Sequence, residues 1–181
     1  MKCMMKNPKS YVLWYHRIWC LGLASEIEKE TGKTLAESLL TQEIQLCNMF
    51  FEKDDRNFHC WNYRLTIFKM IYQYFETNFW DFLNKELAFT ISMISKNFSN
   101  FSAWHYRSKL IALHFDKNNI NWNSLTALEF FKKDLEFITN AINTDPKDQS
   151  PWNYHLWIVN NLIPIYVRKA EVKDGSVIIE L

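Results

Sequence analysis

An all-α chain of stacked antiparallel helical hairpins, an α-α superhelix, is the fold class that three observations predict. Gly and Pro are scarce, 3 and 4 in 181 residues, and a many-turned β-sandwich needs more of such punctuation. Aromatic residues make up 17% of the chain, with 8 Trp, more than one core of this size has reason to use unless a single packing device recurs. Finally, anchoring on Trp followed three residues later by a basic residue aligns four segments, NPKSYVLWYHRIWCL from Asn7, DDRNFHCWNYRLTIF from Asp54, NFSNFSAWHYRSKLI from Asn97 and DPKDQSPWNYHLWIV from Asp145. Their anchors, Trp14, Trp61, Trp104 and Trp152, lie 47, 43 and 48 residues apart, which is the length of two helices plus turns.

Each element follows from these columns. Four residues before each Trp stand Ser10, Asn57, Asn100 and Asp148, whose side-chain oxygens suit the open N–H groups of a helix start. From there the spacing predicts an apolar stripe on the second helix of each unit: Tyr11-Trp14-Ile18-Leu21, Phe58-Trp61-Leu65-Phe68, Phe101-Trp104-Ser108-Ile111 and Gln149-Trp152-Leu156-Val159. Upstream, an acid eighteen residues before Trp recurs as Glu43, Glu86 and Asp134. It opens the stripes Ile44-Cys47-Phe51, Leu87-Thr90-Ile91-Ile94 and Leu135-Ile138-Ile142 of a first helix that packs against the Trp helices.

The repeat domain is expected over residues 1–166. Only six residues precede Asn7, so the first unit reads as lacking its first helix, as in an N-terminally shortened chain, with the Tyr11/Trp14 face uncovered and prone to self-association. Pro164 closes the helical pattern. Residues 167–181 alternate around Asp174-Gly175, a two-residue hairpin signal, with Val177, Ile178 and Ile179 as strand formers. They read either as the start of a truncated β domain or as a disordered tail.

Charge and cysteines narrow the function classes. A net charge of +1 gives no bulk field for nucleic acid or an anionic membrane. Cys3, Cys20, Cys47 and Cys60 form no CxxC pair, so neither a zinc site nor a disulfide framework has support and free thiols are expected. No apolar run approaches a membrane span and no signal-peptide core follows Met1, which points to a cytoplasmic protein.

The four segments resemble the α-subunit repeats of the protein prenyltransferases, whose pattern is roughly Asn-Pro-Lys-Asn-Tyr-x-x-Trp-x-x-Arg. The resemblance runs from Asn7 to about Ile163. RNFHCWNYR from Arg56, ELAFTISMISKNFSNFSAWHYRS from Glu86 and DPKDQSPWNYH from Asp145 are more similar to the α subunits of Rab geranylgeranyltransferases, the type II enzymes, than to those of farnesyltransferases. A farnesyltransferase or type I α subunit is the neighbouring alternative. The resemblance implies a heterodimer inactive without its β subunit, which carries the zinc. It implies transfer of geranylgeranyl from its diphosphate to the C-terminal cysteines of a Rab GTPase presented by a Rab escort protein. No cofactor or metal is expected on this chain itself.

The same resemblance places Lys9, in the complete Asn7-Pro8-Lys9-Ser10-Tyr11 signature, against the diphosphate; the matching positions are Arg56, Ser99 and Lys147. A cation is wanted there because negative charge grows on the leaving oxygens as the C–O bond breaks. Tyr11 either orients Lys9, donates to the diphosphate, or packs. Asn57, Phe58 and His59 occupy a loop implied to face the β subunit, although Phe58 has no hydroxyl to donate. His59 beside Cys60 suggests Cys–His catalysis only superficially, since no orienting third group follows and packing explains the cysteine better. The columns Trp14, Trp61, Trp104 and Trp152 with Arg17, Arg64 and Arg107 read as architecture, and His16, His105 and His155 show no metal-site spacing. The reading from another class is a free-standing helical scaffold that binds peptides.

Overall fold

A computed structural model describes residues 2–31, 36–74, 79–163, 169–173 and 176–180. The chain divides into two compact units, Met1–Leu110 and Ile111–Leu181. The first holds α1 (Lys2–Lys6), α2 (Tyr11–Thr31), α3 (Ala36–Phe51), α4 (Phe58–Tyr74), α5 (Phe79–Lys96) and the start of α6 (Phe101–Lys117). The second holds the end of α6, α7 (Leu125–Thr144), α8 (Gln149–Leu162), β1 (Lys169–Lys173) and β2 (Ser176–Glu180).

The expected all-α hairpin array is what forms. Every Trp helix starts directly after the expected cap position, at Tyr11, Phe58, Phe101 and Gln149, and side-chain caps are seen at three of them. Asn57 Oδ1 accepts from the His59 and Cys60 N–H groups, Asn100 Oδ1 from Ala103, and Asp148 Oδ1 from Ser150. These bonds satisfy donors that a helix start leaves open. Within the first unit, Cys60 Sγ meets the Cys47 carbonyl while Tyr63 reaches back to Glu43, so α3 and α4 run antiparallel. A turn joins α6 to α7, with Asn119 in the left-handed region at φ 51°, a conformation asparagine tolerates beyond a helix end.

The stripes need two corrections, the first in the fourth copy, where Trp152 and Leu156 are exposed. Second, the position three before Trp is exposed in all four copies, Tyr11, Phe58, Phe101 and Gln149. The covered face of α4 is instead Cys60, Trp61, Tyr63, Arg64, Ile67, Phe68 and Ile71. The first residue of each helix stands at the edge of the layer, and the seam runs through positions just before and after the Trp.

The opening unit also differs from expectation. Trp14 is buried, with its ring 5.0 Å from Phe50 and 4.9 Å from Tyr63, because this side of α2 looks towards the following hairpin. A single turn of first helix, α1, precedes it, and Met4 is buried there. What lies open is another side: His16 and Cys20 are exposed where the equivalent Tyr63 and Ile67 of α4 are buried, and Tyr15, Trp19, Leu23 and Ile27 extend the patch.

In the second unit an aromatic cluster forms the core. Trp122 meets Trp157 edge to face at 5.6 Å and stacks on Phe131 at 6.0 Å, and Trp157 stacks on Tyr154 at 5.4 Å. Two tryptophans outside the repeat column thus have a packing role, whereas Trp19 and Trp80 remain exposed. β1 and β2 pair antiparallel with Lys173 opposite Ser176. Pro164, Asp174 and Gly175 lie outside the described residues.

Candidate functional site

The same turn joins the two helices of every hairpin, and it is braced twice. A backbone N–H at the cap position donates to the carbonyl three residues back in all four copies: Ser10 to Asn7, Asn57 to Asp54, Asn100 to Asn97 and Asp148 to Asp145. The indole N–H of each repeat Trp donates to a carbonyl six residues earlier: Trp14 to Pro8 at 2.9 Å, Trp61 to Asp55 at 2.8 Å, Trp104 to Phe98 at 2.8 Å and Trp152 to Pro146 at 3.0 Å. The tryptophan therefore fills the core and fastens its own turn.

A third brace, seen at two junctions, crosses from one hairpin to the next. Asn57 Nδ2 donates to the Pro8 carbonyl at 3.1 Å, and Asn100 Nδ2 to the Asp55 carbonyl at 2.9 Å. Each asparagine thus caps its own helix with oxygen and holds the preceding turn with nitrogen. Asn57→Asp keeps the cap acceptor but has no N–H for Pro8, so a loss of about 1 kcal/mol in urea unfolding is expected.

The carboxylate column is the other organising element. Arg17 grips Glu43 through Nε, at 2.9 Å, and through its second nitrogen, and Tyr63 donates to the same carboxylate at 2.7 Å. Arg64 forms a two-pronged pair with Glu86, 2.7 Å for each prong, and Tyr106 donates to Glu86 at 2.6 Å. Its remaining nitrogen donates to the Ile44 carbonyl and to Asn48, while its guanidinium carbon lies 4.0 Å from the Phe89 ring centroid. In the second unit Tyr154 donates to Asp134 at 2.6 Å. Arg107 donates to the Leu87 carbonyl and Thr90 hydroxyl of α5, the counterpart of the Arg64–Ile44 bond.

Burial, and then the neighbouring carboxylate, raises the Tyr63 and Tyr106 phenols above the usual tyrosine range, so both remain donors. Burial works against the charge on Arg64, yet Glu86 more than restores it. Tyrosine two residues after Trp, present as Tyr63, Tyr106 and Tyr154, was legible as a column but its role depended on knowing which acid it faces.

Lys9 is exposed on the first turn, its Nζ 3.6 Å from Asp54 Oδ2 on the second. Tyr11 is 69% exposed at the start of α2. Asn57 is buried and engaged on both sides, as described. Phe58 points outward with its ring 3.9 Å from that of His59. Beside it, Phe58, Trp61, Leu65, Phe101 and His105 line a groove of about 190 Å³. Cys60 is buried, and burial pushes its thiol up, away from the thiolate that catalysis would need.

Trp14, Trp61 and Trp104 are buried, as are Arg64 and Arg107, whereas Arg17 is partly open and Trp152 is 42% exposed. Among the described residues no three His, Cys, Asp or Glu side chains gather as a metal-binding set. No described helix is long and apolar enough to cross a membrane.

The geometric repeat has a counterpart in known proteins. A family model described as protein prenyltransferase alpha subunit repeat matches residues 1–24, 40–71, 83–114 and 131–162. The chain is 40% identical to the Homo sapiens geranylgeranyl transferase type-2 subunit alpha over 162 residues, covering 90% of this chain and 25% of that protein. The Saccharomyces cerevisiae protein of the same name is 31% identical over 162 residues, 89% of this chain and 45% of that one. Subunit alpha 2 from Arabidopsis thaliana is 32% identical over 190 residues, 96% of this chain and 25% of that protein. The chain thus spans about a quarter of the length of the human relative. With four matched repeats that coincide with the braced helical hairpins, it belongs to the protein prenyltransferase alpha subunit repeat family.

Proposed function

We propose that this chain is the repeat region of the α subunit of a type II, Rab-directed geranylgeranyltransferase, working in the cytoplasm with a β subunit. The observation that carries the reading is the Lys9 turn: an exposed cation on a turn held by Trp14 and by Asn57 of the next hairpin. In the reaction, a Rab cysteine sulfur attacks C1 of geranylgeranyl diphosphate, a C–S bond forms, the C–O bond breaks and diphosphate leaves. Zinc, if held by the β subunit, would keep the cysteine as its thiolate. Lys9 meets the negative charge that grows on the diphosphate oxygens, where a positioned cation lowers the barrier. Tyr11, exposed two residues on, orients the same group, and a Rab escort protein presents the substrate.

Lys9→Ala in the α/β heterodimer is expected to lower Rab prenylation by about 100-fold, the scale of removing one donor to a developing charge, with heterodimer yield unchanged. An equal loss of yield and turnover, or unchanged turnover, removes Lys9 from the mechanism. The groove beside Phe58 and Phe101 favours a second reading, a free-standing peptide-binding scaffold. Co-expression with a β subunit separates the two: a scaffold forms no heterodimer, and prenylation does not depend on it.

A further inference from the structure

Asp54 carries a charge that its turn does not require. Seven residues before each Trp stand Asn7, Asp54, Asn97 and Asp145. In the last three, Oδ1 accepts the backbone N–H two residues on, from Arg56 at 3.1 Å, Ser99 at 3.2 Å and Lys147 at 3.1 Å. Asn97 closes this turn as well as the two aspartates do, so an amide oxygen suffices. The second oxygen of Asp54 is spent elsewhere, 3.6 Å from Lys9 Nζ. Among the described ion pairs, this is the one that joins two repeat turns.

The fold gains little from such a contact. The two side chains are 74% and 39% exposed, and ion pairs of that kind contribute almost nothing to stability. Both backbones beneath it are nevertheless rigidly placed. The Pro8 carbonyl, next to Lys9, receives Trp14 and Asn57, and the Asp55 carbonyl, next to Asp54, receives Trp61 and Asn100. A fixed carboxylate thus stands over a flexible lysine stem whose ordering otherwise costs rotamer freedom at the moment of use.

We propose that Asp54 is a positioning residue for Lys9, its charge holding the ammonium over the turn so that the N–H groups are presented to the oxygens of an isoprenoid diphosphate. The inference rests on the reading of Lys9 as the diphosphate contact. It carries a signature in both kinetic terms. The tether speeds the transfer step, while its carboxylate repels the anionic substrate, so it raises KM as well as kcat.

Asp54→Asn keeps the turn and removes the charge. In the α/β heterodimer with a Rab and its escort protein, it is expected to lower the single-turnover rate about 5- to 10-fold and to lower KM for geranylgeranyl diphosphate about 3-fold. In a Lys9→Ala background the rate effect of Asp54→Asn is expected to vanish. An unchanged rate in the single variant overturns the inference, as does a rate loss that persists undiminished without Lys9, which marks a structural role. If Lys9→Ala itself leaves turnover intact, the reading of Lys9 fails instead, and the two failures are told apart by that one variant.

Discussion

Arg64→Met is expected to destabilise the chain by about 3–5 kcal/mol, read from urea unfolding followed by helical circular dichroism. The side chains of Arg64 and Glu86 are 2% and 4% exposed. Removing the arginine strands a buried carboxylate that retains only the Tyr106 hydroxyl among the hydrogen bonds described above. It also vacates the Ile44 carbonyl and Asn48. Because taking two charges out of water is itself costly, Arg64→Met combined with Glu86→Leu is expected to recover much of the loss. A double variant as unstable as the single one would mean that the pair's geometry, rather than the orphaned charge, carries the energy.

The tryptophan column yields the second large effect, and it is graded by position. Trp104 is 1% exposed and Trp152 is 42% exposed, although both donate to the carbonyl six residues before. Trp104→Ala is expected to cost about 3–5 kcal/mol by leaving a cavity and removing the indole bond to the Phe98 carbonyl, and Trp152→Ala less than half of that. Equal losses at the two sites would show that the turn bond outweighs burial. Phenylalanine at position 104 separates the contributions further, since it keeps most of the apolar volume and drops the N–H.

Local chemistry was readable from the residues; partnership was not. The caps Asn57, Asn100 and Asp148 follow from side-chain oxygens at a helix start, a rule that needs no knowledge of the rest of the chain. The hairpin period follows from the tryptophans. By contrast, the stripe through Tyr11, Phe58 and Phe101 failed because a helical spacing counted from Trp is satisfied by two adjacent faces, and only the packed neighbour decides which is covered. The Trp bonds to Pro8, Asp55 and Phe98 end on backbone carbonyls, which have no letter in the sequence. For the same reason the pairing of Lys9 with Asp54 was invisible. Nothing in a column of Asn, Asp, Asn and Asp distinguishes the aspartate that closes a turn from the one that also faces a lysine.

Sharing of carboxylates has a consequence for how the first unit comes apart. Glu43 is held by an arginine from the hairpin before it and a tyrosine from its own, and Glu86 likewise. No hairpin there owns a complete set of its bonds, so coupling between neighbours is large compared with the intrinsic stability of each. Residues Met1–Leu110 should then melt as one cooperative block, with amide hydrogens of α3, α4 and α5 exchanging at a common free energy rather than fraying one hairpin at a time.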